Sequence, residues 1–163
     1  MVKYYNAMVV FEEIPDEITL AINITNCPCH CKGCHSQFLW EDVGTELTFE
    51  ELDKLLEKNQ GITCICLMGG DADPGYINQL GDYILTDKKY RNICAAWYSG
   101  MDSLNDKIDL INFDYIKLGH YDEELGPLNV KTTNQRLYEV VSRDNGYKLN
   151  DITHKFWKKI DLL

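Results

Sequence analysis

Apolar and polar residues alternate over Ile18-Thr19-Leu20-Ala21-Ile22-Asn23-Ile24, with Ile18, Leu20, Ile22 and Ile24 on one face. A period of two predicts a strand there. Thr48-Phe49-Glu50-Glu51-Leu52 then opens a helix, because Thr48 can cap it and Glu51 completes a capping box. Leu52, Leu55 and Leu56 give that helix an apolar face, and Gly61 ends it. The continuous apolar run Ile62-Thr63-Cys64-Ile65-Cys66-Leu67-Met68 predicts a buried parallel strand that stops at Gly69-Gly70-Asp71. A helix is predicted over about residues 75–86. Strands are predicted over Ile93 to Tyr98, ending at Ser99-Gly100, and over Tyr115 to Leu118, ending at Gly119. Ser103 to Ile111, between them, is predicted helical.

Strand–helix alternation of this kind is the pattern of a parallel α/β sheet with right-handed crossovers. The tail differs. Gln135 to Val141 and Tyr147 to Phe156 flank Asp144-Asn145-Gly146, a hairpin turn signal, so an antiparallel C-terminal β-hairpin is predicted. No repeat or low-complexity linker divides residues 1–163, which predicts a single domain. The cysteine-rich loop after Ile24, the Gly69-Gly70-Asp71 turn, Ser99-Gly100 and Gly119 all follow strands. In parallel α/β folds the strand ends carry the ligand site, so these residues are expected on one rim.

The composition of the 163 residues, 45% hydrophobic and 26% charged, is that of an ordinary soluble globule. Its net charge of −10 argues against nucleic acid, whose phosphates need clustered Lys and Arg. The acidity suits a protein or small-molecule partner. The start, Met1-Val2-Lys3-Tyr4-Tyr5-Asn6, leads into no secretory apolar core, and no apolar run reaches membrane-spanning length. A cytoplasmic protein is expected. Of seven cysteines, four crowd into residues 27–34, a spacing awkward for disulfides and natural for metal binding in a reducing compartment.

Those four lie in Cys27-Pro28-Cys29-His30-Cys31-Lys32-Gly33-Cys34-His35. Cys27, Cys31 and Cys34 offer three thiolates in a C-x3-C-x2-C spacing. A [4Fe–4S] cluster is ordinarily held by four cysteines, so three ligands leave one iron open to a substrate. The competing reading is structural zinc on Cys31 and Cys34, completed by Cys27, Cys29, His30 or His35. Such zinc sites pair two short ligand groups separated in sequence. Here one group stands alone, and Cys64 and Cys66 lie within an apolar strand. Gly69-Gly70-Asp71 reads either as a plain turn or as a close backbone approach whose carbonyls and carboxylate accept from an ammonium group. Cys64, Cys66 and Cys94 read as core.

The motif Cys27-x3-Cys31-x2-Cys34 resembles that of radical S-adenosylmethionine (SAM) enzymes, although many of these carry an aromatic residue where this chain has Gly33. Cys31-Lys32-Gly33-Cys34-His35-Ser36, followed by Trp40, resembles the activating proteins of anaerobic (class III) ribonucleoside-triphosphate reductases; Ser36 departs from their usual Asn. Leu67-Met68-Gly69-Gly70-Asp71, Trp97-Tyr98-Ser99-Gly100 and Thr132-Thr133-Asn134-Gln135-Arg136 resemble three further segments of that family, in the same order.

The resemblance implies a partial βα barrel of radical SAM type. It implies a [4Fe–4S] cluster on Cys27, Cys31 and Cys34, with the amino and carboxylate groups of SAM on the open iron. Gly33 and His35 would lie near the SAM adenine through their backbone, beside the cofactor-binding Cys34; Gly69, Gly70 and Asp71 would meet the SAM amino group, and Ser99 its ribose or methionine part. No general acid or base is implied, since the cofactors carry the chemistry. The implied activity is glycyl-radical activation: a 5′-deoxyadenosyl radical from SAM takes a hydrogen atom from a glycine of the large reductase. A one-electron donor such as flavodoxin would serve it. The alternatives are another radical SAM enzyme acting on a small molecule, activation of a different glycyl-radical enzyme, and a non-catalytic zinc module.

Overall fold

The computed structural model describes residues 1–157. In chain order the elements are β1 (Lys3–Val10), β2 (Thr19–Ile24), β3 (Thr45–Glu46), α1 (Phe49–Lys58), β4 (Cys64–Met68), α2 (Pro74–Thr86), β5 (Cys94–Tyr98), β6 (Tyr115–Leu118), β7 (Arg136–Arg143) and β8 (Gly146–Asp151). The eight strands form one sheet in the order β3-β1-β2-β4-β5-β6-β7-β8. The central four, β2, β4, β5 and β6, run parallel. The strands outside them, β1 and β3 on one flank and β7 and β8 on the other, pair antiparallel.

Side-chain alternation along the central strands separates two layers. Leu20, Ile22, Ile24, Ile65, Leu67 and Trp97 face one way and pack with Leu52 and Leu56 of α1 and Ile77, Leu80 and Ile84 of α2. Cys64, Cys66 and Ala96 face the other way and pack with Ile14, Leu137 and Ile152. The first layer is helix-covered; among the described residues the second is covered by the loop through Ile14 and the segment after β8. The helix ends follow their caps: Thr48 Oγ1 accepts from Glu51 N at 3.0 Å, and Asp73 Oδ1 from Tyr76 N at 3.1 Å.

The partial barrel expected from the resemblance is not what the chain adopts. A βα barrel places a helix after each parallel strand, and here only two α-helices occur among the described residues. The connection from β5 to β6 shows why. Ser103 to Ile111, predicted helical, holds only a 3-10 turn at Leu110–Asn112. Asn105 Oδ1 accepts from Lys107 N at 2.9 Å, Asp109 Oδ1 from Ile111 N at 3.2 Å, and Asn78 Oδ1 from Asp109 N at 2.8 Å. Such side-chain bonds satisfy the backbone locally and compete with helix formation. With antiparallel strands on both flanks, the result is an open mixed sheet.

The tail also ends earlier as a strand than predicted. β7 and β8 pair around the Asp144-Asn145 turn, but β8 stops at Asp151, whose carboxylate accepts from Thr153 N at 2.9 Å and turns the chain into a 3-10 segment at Thr153–Phe156. Among the described residues no helix is long and apolar enough to cross a membrane.

Candidate functional site

The cysteine loop leaves β2 and wraps back on itself. Asn26, His30 and Gly33 take left-handed backbone conformations, with φ of 61°, 44° and 76°. The loop closes on its own return: Asn26 N donates to Glu41 O and Cys27 N to Leu39 O, both at 3.0 Å. The His30 ring stacks on Trp40 with centroids 4.5 Å apart. A side chain at Gly33 would collide with the Glu123 carboxylate, which pairs with Lys32 at 3.1 Å.

All four cysteines of the loop are half-buried and free. Ser36 N donates to Cys34 Sγ at 3.3 Å. Cys27 is pulled below the usual thiol range, first by the hydrogen bond from Cys29 and then by the backbone N–H groups of Cys29 and His30, against the opposing effect of burial. The same contact with Cys27, with burial, pushes Cys29 upward. Hydrogen bonds to sulfur favour the thiolate, the ligating form. In metal-free protein at neutral pH, limiting iodoacetamide is therefore expected to label Cys27 before Cys29, Cys64, Cys66 and Cys94. Peptide mass mapping checks the order, and early labelling of Cys64 or Cys66 would contradict it. Burial raises all three core thiols, Cys94 to about 12.

The other strand ends meet the loop. Asp71, after β4, accepts from Ser99 Oγ at 2.5 Å and from Gly100 N at 2.9 Å, both after β5. Gly100 lies against Cys29: a Cβ placed there would sit 2.7 Å from the Cys29 sulfur. Trp97 Nε1 donates to Gly69 O at 2.8 Å. Gly70, with φ of 92°, packs so tightly on Ile77 that any side chain would collide with it, so the fold itself requires this glycine. The Thr132 to Arg136 segment reaches the same rim: Gln135 abuts Gly119, and Asn134 Nδ2 donates to His120 O at 3.1 Å.

Residues that sequence reasoning missed complete the rim. Lys117 of β6, 7% exposed, donates to Ser99 O at 2.9 Å and Gly119 O at 2.8 Å. Burial pushes its ammonium down to about 8, opposed by the negative charge of Asp71 and of the cysteine loop. A lysine inside the apolar strand Tyr115-Ile116-Lys117-Leu118 was the available signal. Beside the loop, a cleft of about 820 Å³ is bordered by Cys34, His35, Met68, Tyr98, Tyr121 and Phe156, among others. His35 tilts toward Tyr121 with ring centroids 5.9 Å apart. The cleft has the size of a small-molecule site.

Among the described residues, no three His, Cys, Asp or Glu side chains converge as the ligands of one metal ion would. Three free thiols on one loop are also the donor chemistry of an iron–sulfur cluster. Each thiolate of a cluster bonds a different iron and need not point at a common centre, and two of the three thiols receive N–H bonds. Cys27, Cys31 and Cys34 would hold such a cluster, with Asp71 and Lys117 on the same rim. The chain matches none of the protein-family models, curated proteins or solved structures with which it was compared.

Proposed function

We propose that this chain is a radical SAM glycyl-radical activase of the anaerobic ribonucleotide reductase type, working in the cytoplasm. The supporting observation is the gathering of four separate sequence signals at the ends of adjacent strands. The cysteine loop lies against Gly100 through Cys29, Asp71 is tied to Ser99 and Gly100, and the cleft beside the loop is bordered by Cys34 and His35 together with Gln135 of the Thr132 to Arg136 segment. The reading does not depend on a barrel.

Bound together, the [4Fe–4S] cluster and SAM supply a one-electron reductive cleavage that yields methionine and a 5′-deoxyadenosyl radical able to take a hydrogen atom from a glycine Cα. The chain's own residues hold and orient. Cys27, Cys31 and Cys34 provide the thiolates. Ser99 and Gly100 fix the Asp71 carboxylate, whose remaining lone pairs can accept N–H bonds from the SAM amino group. Gly33 and His35 would border the adenosyl group through their backbone. Lys117 offsets the negative charge gathered at the rim. The cleft beside Cys34 gives the target glycine of the large reductase its approach. The electron donor is a small one-electron carrier such as flavodoxin.

The test is anaerobic. Protein reconstituted with iron and sulfide, reduced and given SAM is expected to be brown and to release 5′-deoxyadenosine. Colourless protein that retains zinc, takes up no cluster and releases no product would remove this reading.

A further inference from the structure

We propose that Lys117 is the built-in counter-cation of the cluster site, a fixed positive charge that makes a cluster held by Cys27, Cys31 and Cys34 easier to reduce. The inference rests on the catalytic reading above and adds the residue that sets the potential. Among the described residues, Lys117 is the one charged side chain that is buried. No carboxylate there lies within ion-pair distance of it. Its bonds go to two neutral backbone carbonyls, Ser99 O and Gly119 O, and an ammonium carries three donors. A buried charge without a counter-charge is costly to hold, so a lysine in this place calls for an anion from outside the fold.

The surroundings of Lys117 identify that anion. Ile116 and Leu118 pack in the helix-covered layer, which puts Lys117 on the other face of β6. Its ladder neighbours are Tyr98 of β5 and Leu137 of β7, and its ammonium lies 5.7 Å from the centre of the Tyr98 ring. Leu137 and Ser99 are buried, so little water reaches the charge. Beyond it stands the turn Ser99-Gly100-Met101. Lys117 holds that turn through Ser99 O, and Gly119 N holds it through Met101 O at 2.7 Å. Gly100 and Met101 in turn lie against the Cys29 sulfur. A single turn of backbone therefore separates the ammonium from the cysteine loop. Asp71 also acts on it, but the Asp71 oxygens are engaged by Ser99 Oγ and Gly100 N. Burial pushes the ammonium down to about 8, and the negative charge of Asp71, Cys29 and Cys31 opposes the fall. Lys117 is therefore charged at neutral pH.

Three thiolates outweigh the positive charge of an oxidised iron–sulfur core, and one more electron makes the site more negative still. A nearby positive charge stabilises the reduced form more than the oxidised form. Only an electron moves in this step, from a low-potential one-electron carrier to the cluster, with no bond made or broken. Lys32 supplies the contrast. It adjoins Cys31 in sequence, but its side chain is 90% exposed and pairs with Glu123, so water and salt screen it.

The experiment is a potentiometric titration of the full, cluster-reconstituted chain without SAM, with dithionite as reductant and the electron paramagnetic resonance signal of the reduced cluster as readout. One buried unit charge a turn's width away changes such an equilibrium about tenfold. Lys117→Gln and Lys117→Met are therefore expected to lower the midpoint by about 59 mV, the one-electron equivalent of tenfold. Lys117→Arg and Lys32→Gln should stay near wild type. Glutamine keeps a donor for the two carbonyls, so a lysine that only clasps strands would be replaced without moving the potential. Melting temperature and iron content show which variants are folded and loaded; if Lys117→Gln is not, Lys117→Met, the closer match in length, gives the reading. An unchanged midpoint in a folded, loaded neutral variant overturns the proposal, as does a fall in Lys117→Arg equal to that in Lys117→Gln. In that case a wild type that still binds the cluster and cleaves SAM leaves the catalytic reading standing. A wild type that takes up no cluster removes both.

Discussion

Replacing Cys31 with alanine is expected to abolish 5′-deoxyadenosine formation and to lower the iron content of reconstituted protein, while Cys29→Ala keeps both. The two residues are neighbours on one loop and equally free and half-buried, so composition does not separate them. Their surroundings do. The Cys29 sulfur is turned toward the strand end, against Gly100 and 3.8 Å from Met101 Sδ, and it acts as a donor to Cys27. A thiol that donates to a ligand and is itself pushed toward the protonated form is poorly suited to bond iron. In the proposed site Cys31 is one of three thiolate ligands, and removing one of three would leave two irons without protein donors. Iron and sulfide analysis with product chromatography on both variants checks the prediction. If Cys29→Ala fails as Cys31→Ala does, the ligand set is wrong.

The sequence made the central strands legible because burial on both faces leaves a plain signature. Cys64–Met68, Cys94–Tyr98 and Tyr115–Leu118 fall inside or coincide with the apolar runs that announced them. The helix at Phe49–Lys58 was legible from its capping box. β1 was not read as a strand. Its burial follows no strict alternation, because the bulge at Tyr5 shifts the register and the free edge leaves apolar residues exposed. The barrel expectation failed for a related reason. Residues 103–111 carry enough apolar positions to suggest a helix, yet Asn105 and Asp109 hold their backbone in local turns.

The site divides in the same way. Glycines and cysteines show in a sequence, so Gly33, Gly69, Gly70 and the loop thiols could be singled out. The partners that hold them could not, because those contacts are made only on folding: Glu123 over Gly33, Ile77 of the following helix against Gly70, Lys117 beneath Ser99. At Gly70 the structural demand alone is sufficient: its φ is positive, its carbonyl accepts from Asp73 N at 3.0 Å, and Ile77 forbids a side chain whether or not a ligand binds.

Trp97→Ala is expected to cost about 3–5 kcal/mol of stability, the range for truncating a fully buried tryptophan, and to lower the melting temperature by roughly 6–20 °C for a chain of this length. Trp97 is 1% exposed, lies on the helix-covered face of β5, and meets Phe113 with ring centroids 6.3 Å apart. Its Nε1 also donates to Gly69 O, so the residue ties core packing to the turn that carries Asp71. Trp97→Phe separates the two roles. It keeps most of the buried ring and loses the hydrogen bond, about 1 kcal/mol, together with the packing of the missing part of the indole. Thermal melting should therefore rank wild type, Trp97→Phe and Trp97→Ala in that order. Product formation should already fall in Trp97→Phe, because the freed Gly69 carbonyl no longer anchors the turn against β5. If Trp97→Phe melts slightly lower but makes product at the wild-type rate, Trp97 serves the core alone. The Gly69 turn would then be held by its other bond across the strands, Gly69 N to Tyr98 O at 2.9 Å.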